Sequence, residues 1–193
     1  MQLDYENIVS VHTFSKTYAM TGWRLGYVVS RNKVLTNIIK LADYTQTAGV
    51  PTYTQFAGAE ALSNSEKEKE SVNNFMNEFS LRRDALYEGL KSIEGIQLPG
   101  KPEGAFYIFP DFSEFVPKGI TGEEKKLYIF NKLINAGVAT VYGSCFGNYF
   151  QNNLRFSYST TNLEQIEIGI NRIKKALHSP VGLKPEASKV SVY

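Results

Sequence analysis

Hydrophobic positions along this chain follow two periods, and the places where the period changes divide it. Residues 7–11 are short, apolar and partly β-branched, the pattern of a buried strand. A loop of small and hydroxylated residues follows at 12–22, and residues 23–30 predict a second strand. Asn32 stands where a helix cap belongs, ahead of a helix to about residue 44 with Val34, Leu35, Ile38, Ile39 and Leu41 on its apolar side. Gly49-Val50-Pro51 breaks the chain before a second helical stretch at 53–62.

From Glu66 the period lengthens. Val72, Phe75, Met76, Phe79, Leu86 and Leu90 recur at three- and four-residue steps, which predicts one long helix. Gly95 and Pro99-Gly100-Lys101-Pro102 end it, and residues 105–109 predict a strand. Thr121-Gly122-Glu123-Glu124 has the form of a capping box, opening a helix through Leu127, Phe130, Leu133 and Ile134 that Gly137 closes. Residues 138–142 and 154–159 predict two more strands, and Asn162 caps a last helix with Leu163, Ile166, Ile170, Ile173 and Leu177 on one side. Beyond Ser179 the Pro, Gly and Lys content suggests a loose tail.

Three segments result: 1–64, 65–178 and a tail at 179–193. The middle one can pack helices on a sheet as a complete α+β unit. The first cannot, because two buried strands need neighbours that it does not contain. Either another chain supplies them or the sequence starts within a larger domain.

Composition narrows the function without naming it. A net charge of +2 with interspersed signs argues against a nucleic-acid binder, and the alternating run Glu66-Lys67-Glu68-Lys69-Glu70 suits a solvated helix start. One cysteine, Cys145, excludes an intramolecular disulfide, and no Cys/His cluster suggests a metal. The first residues carry two acids and no basic leader, and no apolar run approaches a membrane span, so a cytoplasmic protein with no membrane partner is expected.

The loop at 12–22 holds the candidate chemistry. Lys16 lies between two strands, Thr13 precedes it, and Arg24 opens the second strand with Gly26 on the same face. An amine in a partly desolvated pocket can attack a carbonyl to form a Schiff base, and a nearby phosphate would take a hydroxyl and a guanidinium. A glycine at position 26 would leave room for a flat ligand. The plainer alternative is a solvated lysine and an arginine in a surface ion pair. No Walker-type loop is present to favour a nucleotide.

The run Ser15-Lys16-Thr17-Tyr18-Ala19-Met20-Thr21-Gly22-Trp23-Arg24-Leu25-Gly26-Tyr27 closely resembles the cofactor-lysine motif of class I/II aminotransferases, the fold-type I family of aspartate aminotransferase. That resemblance implies an α/β fold: the end of a large cofactor-binding domain followed by a complete α+β small domain. It implies that Lys16 carries pyridoxal 5′-phosphate as a Schiff base and is the catalytic residue. Thr13 and Arg24 would bind the phosphate, with Ser15 in a minor phosphate or packing role.

Leu154, Phe156 and Tyr158 alternate with Arg155, Ser157 and Ser159, so that Arg155 points away from the side the last helix covers. Alone, this suits either a carboxylate-binding arginine or a structural one paired to a surface acid. Leu154-Arg155-Phe156-Ser157-Tyr158 is similar to the family strand whose arginine holds the substrate α-carboxylate. Residues 102–110 resemble the family's small-domain strand entering from the substrate side, where Gly104 and Ala105 would permit close approach. Gly143-Ser144-Cys145-Phe146-Gly147 resembles the loop before the arginine strand, with Tyr142 where the family often has proline. With no histidine nearby in sequence, Cys145 is expected to be a packing residue. Residues 51–56 sit where the family lends side chains to a neighbouring subunit.

The resemblance further implies amino transfer between an amino acid and a 2-oxo acid, by a parent enzyme that is a homodimer. The family's other cofactor contacts lie in an amino-terminal half without counterpart here, so this chain is expected to be a truncated form with little activity alone. A pyridoxal-phosphate-dependent carbon–sulfur β-lyase of the same fold, or a non-catalytic fragment, would share these residues.

Overall fold

The computed structural model describes residues 6–63 and 65–179; the tail expected at 179–193 lies, but for Ser179, outside them. The chain forms two compact units, Met1–Phe75 and Met76–Tyr193, which divide within one long helix.

In the first unit, β1 (Ser10–Thr13) and β2 (Gly26–Val29) form an antiparallel pair, from Ser10↔Val29 to Thr13↔Gly26. Helix α1 (Lys33–Thr47) follows the Asn32 cap, whose side chain accepts from the Val34 and Leu35 amides. Helix α2 (Thr52–Ala61) comes next. The strands sit two or three residues from where hydrophobicity alone puts them. Pairing decides this: β1 runs on through His12 and Thr13 because these residues have partners in Tyr27 and Gly26.

The expected strand at 23–30 is shortened from its front. Residues Thr21–Trp23 form a 3₁₀ turn, and Arg24 caps it at φ 52°, ψ 49°. Arg24 is therefore left-handed and lies outside the strand, contrary to expectation. Gly26 does not make room for a ligand either: a Cβ there would fall 2.7 Å from the His12 carbonyl oxygen, so the glycine serves the approach of β1 to β2.

This unit buries little. Phe14, Met20 and Leu25 form its core, with Tyr18, Val50, Ala57 and Ala61 against them. Val11, Val34, Leu41, Tyr53 and Phe56 are all more than three-fifths exposed. In residues 51–56, Thr54 is buried while Tyr53 and Phe56 project outward.

Helix α3 (Glu66–Lys91) runs from the first unit into the second, which it enters at Met76. The second unit has a three-stranded antiparallel sheet in the order β3 (Tyr107–Ile108), β5 (Leu154–Ser157), β4 (Val141–Tyr142). Helices α4 (Gly122–Asn135) and α5 (Leu163–His178) complete it. Leu90, Ile108, Leu133, Leu154, Phe156, Tyr158, Ile170 and Ile173 share one core, drawn from α3, α4, α5 and the sheet. The alternation of β5 is as expected: Leu154 and Phe156 are buried, Arg155 is half-buried and Ser157 is exposed.

Three local expectations fail here. The strand at 105–109 shrinks because Ala105 takes φ 59°, leaving only Tyr107 and Ile108 paired. Thr121 makes no side-chain cap bond, and Gly122, the first residue of α4, is left-handed at φ 61°. The strand at 138–142 pairs only at Val141 and Tyr142. Asn162, by contrast, forms a full capping box with Gln165.

Candidate active site

The loop after β1 is held at both ends. Phe14 donates its amide to the Leu25 carbonyl at 3.2 Å, and both side chains are buried. Between them the chain turns sharply, with Ala19 at φ 53° and Arg24 at φ 52°. Left-handed geometry costs an L-residue about 1–2 kcal/mol, so the packing and hydrogen bonds of the loop must hold it.

Those bonds form one connected set. The Arg24 guanidinium donates from Nη1 to the Thr21 carbonyl at 3.0 Å. The Thr21 hydroxyl donates to the Ser15 carbonyl at 2.9 Å. The Ser15 amide donates to Thr13 Oγ1 at 3.2 Å, and that hydroxyl donates on to Ser15 Oγ at 3.0 Å. Thr13, Ser15 and Arg24, the three expected phosphate contacts, are thereby joined through Thr21. The sequence reading missed Thr21, whose role depends on the loop's fold. Lys16 lies inside this loop and is exposed, so the partly desolvated pocket expected around it is not built by the described residues.

Within the loop, burial is the main cause that raises the Tyr18 phenol above its ordinary range, with the Glu68 carboxylate and Tyr27 adding to it.

In the second unit Arg155 is half-buried on the sheet face opposite the core. Its guanidinium carbon lies 4.4 Å from the Tyr107 ring centroid and 5.0 Å from that of Phe146. Among the described residues no carboxylate pairs with it. Cys145, expected to pack, is exposed, and its side chain beside Tyr142 is the main cause that raises that phenol above its ordinary range. The described residues hold no metal-binding cluster and no helix long and apolar enough to cross a membrane.

A model of the family "Aminotransferase class I and II" matches residues 3–173. The chain belongs to the class I and II aminotransferases. A probable aspartate/prephenate aminotransferase of Aquifex aeolicus is 44% identical over 168 residues, covering 87% of this chain and 40% of that protein. An aspartate aminotransferase of Pyrococcus horikoshii is 38% identical over 172 residues, covering 89% and 41%.

Among solved structures, the Thermus thermophilus aspartate aminotransferase with maleate matches this aminotransferase-family chain with a TM-score of 0.76 and 31% identity, over 89% of this chain and 41% of that one. An aromatic aminotransferase from Pyrococcus horikoshii matches with a TM-score of 0.73 and 35% identity, over 88% and 42%. The fold is thus the α/β fold of fold-type I transferases, as the motif implied. The chain spans about two-fifths of the length of the relatives it matches.

Proposed function

We propose that this chain carries the lysine and two arginines of a pyridoxal-phosphate-dependent aminotransferase acting on an amino acid and a 2-oxo acid. The hydrogen-bonded loop from Thr13 to Arg24 carries the reading. Within the loop that contains Lys16, hydrogen bonds link the hydroxyl residues Thr13, Ser15 and Thr21 to Arg24, and hydroxyls with a guanidinium are the groups that suit a phosphomonoester. Thr13, Ser15 and Arg24 would hold the phosphate and Lys16 would hold the cofactor's other end. When bound, pyridoxal phosphate supplies an electron sink for the bond broken at the substrate α-carbon.

The protein's own part is positioning and proton transfer. Lys16 Nζ takes the substrate α-proton and returns it to another carbon, acting as base and then acid. Arg155 grips the α-carboxylate of the substrate in a bidentate fork. Because Lys16 is exposed here, the 193-residue chain alone transfers amino groups poorly. The reading extends to a cytoplasmic, homodimeric parent enzyme.

Complementation tests this proposal. Mixing the chain with the amino-terminal part of the Aquifex aeolicus relative and pyridoxal phosphate should give amino transfer to 2-oxoglutarate. Lys16→Ala should abolish it. Pyruvate release from cystathionine without amino transfer would instead assign a carbon–sulfur β-lyase.

A further inference from the structure

The second unit holds an arginine with an unusual set of neighbours. Tyr107 pairs with Ser157 across β3 and β5, and Arg155 lies two residues from Ser157 on the same face of β5. That register makes Tyr107 and Arg155 diagonal neighbours, a separation that aromatic and long side chains can bridge. Phe146 arrives from the turn after β4, and that turn is tightly anchored. The Gly143 amide donates to the Asn153 carbonyl at 2.7 Å, and a Cβ on Gly143 would collide with the Phe150 and Asn153 carbonyl oxygens. Phe109 then meets both Phe146 and Phe150 edge-on, with centroids 5.6 and 5.3 Å away.

Among the described residues, the Arg155 side chain meets these two rings and neither a carboxylate nor a hydrogen-bond acceptor. The difference matters chemically. An acid would hold the guanidinium by occupying its N–H donors, the same donors a carboxylate ligand needs. An aromatic ring attracts the cation through its π face and accepts none of the in-plane hydrogens. A guanidinium held by rings is thus restricted in rotamer while its fork stays open, which lowers the ordering cost of binding.

We propose that Tyr107 and Phe146 are positioning residues, an aromatic clamp that fixes the Arg155 guanidinium and leaves its donor edge free for a carboxylate. This rests on the assignment of Arg155 to carboxylate recognition. The ring of Tyr107 is the active part. Its hydroxyl is dispensable.

The test uses the ¹⁵N-labelled 193-residue chain titrated with sodium acetate against sodium chloride at constant ionic strength, following the Arg155 Nε–H signal. In the wild type that signal lies upfield through the ring currents and shifts saturably with acetate. Tyr107→Leu and Phe146→Leu should each move it downfield in the free protein and weaken acetate binding about tenfold. Tyr107→Phe should match the wild type in both respects. Circular dichroism identifies any leucine variant that fails to fold, and Phe146, which is 44% exposed, provides the variant least coupled to the core. Equal affinities in the wild type and a folded leucine variant overturn the clamp alone, as does a Tyr107→Phe variant as weak as Tyr107→Leu. No saturable shift in the wild type overturns the Arg155 assignment and the clamp with it.

Discussion

The Thr21 hydroxyl donates to the Ser15 carbonyl across 2.9 Å, and this bond ties the middle of the Lys16 loop to its beginning. It also links Arg24, which donates to the Thr21 carbonyl, to the hydroxyls of Thr13 and Ser15. Thr21→Val keeps the shape and removes the donor. The expected cost is about 1 kcal/mol of local order, seen as roughly fivefold faster amide hydrogen exchange at Tyr18 and Ala19. Unchanged exchange would show that the loop's packing suffices without the bond.

The two helix caps in the second unit make a paired prediction. The Asn162 side chain accepts from the Gln165 amide at 2.8 Å and the Asn162 amide donates to Gln165 Oε1 at 3.0 Å, whereas Thr121 makes no side-chain cap bond. Asn162→Ala should lose about 1 kcal/mol in urea denaturation, and Thr121→Ala should stay within about 0.5 kcal/mol of the wild type. Equal losses would mean that the Thr121 side chain does cap α4.

Gly143 should tolerate no side chain. Its virtual Cβ lies 2.7 Å from the Asn153 carbonyl oxygen and closer still to that of Phe150, and both are backbone atoms that cannot swing aside. Gly143→Ala should destabilise the second unit by about 1–3 kcal/mol, read from the urea midpoint. It should also disturb the Arg155 Nε–H signal through Phe146.

Tyr158 gives a pH prediction. Its hydroxyl donates to the Ala105 carbonyl at 3.2 Å, and burial is the main cause raising the phenol above 10.0, with Asp84 adding and Arg83 opposing. A pKa raised on folding gives stability that is complete below the unfolded pKa and lost as pH rises through the folded one. Tyr158→Phe should cost about 0.5–1.5 kcal/mol at neutral pH through the lost hydrogen bond. The deficit should narrow at about pH 11, where only the wild type must deprotonate. A deficit independent of pH would contradict this.

Features encoded within a few residues were legible in the sequence. The Asn32 and Asn162 caps, the long helix from Glu66 and the alternation Leu154-Arg155-Phe156 each follow from local spacing. Features set by distant partners were not. Arg24 looked like the start of a strand, yet β2 begins where Thr13 finds Gly26, and the residues before it form a 3₁₀ turn that Arg24 closes in left-handed geometry. Tyr107 and Phe146 escaped notice because their meeting with Arg155 needs the β3–β5 register and the Gly143 turn. Lys16 stood out through its motif, but its exposure depends on which surfaces surround the loop.

The most direct test of Lys16 as the cofactor lysine is borohydride reduction of the chain after incubation with pyridoxal phosphate, followed by peptide mapping. The predicted result is a pyridoxyl adduct concentrated on Lys16, reduced by excess inorganic phosphate and dispersed by Arg24→Gln. Labelling spread evenly over exposed lysines such as Lys67 and Lys69, and indifferent to both changes, would contradict it.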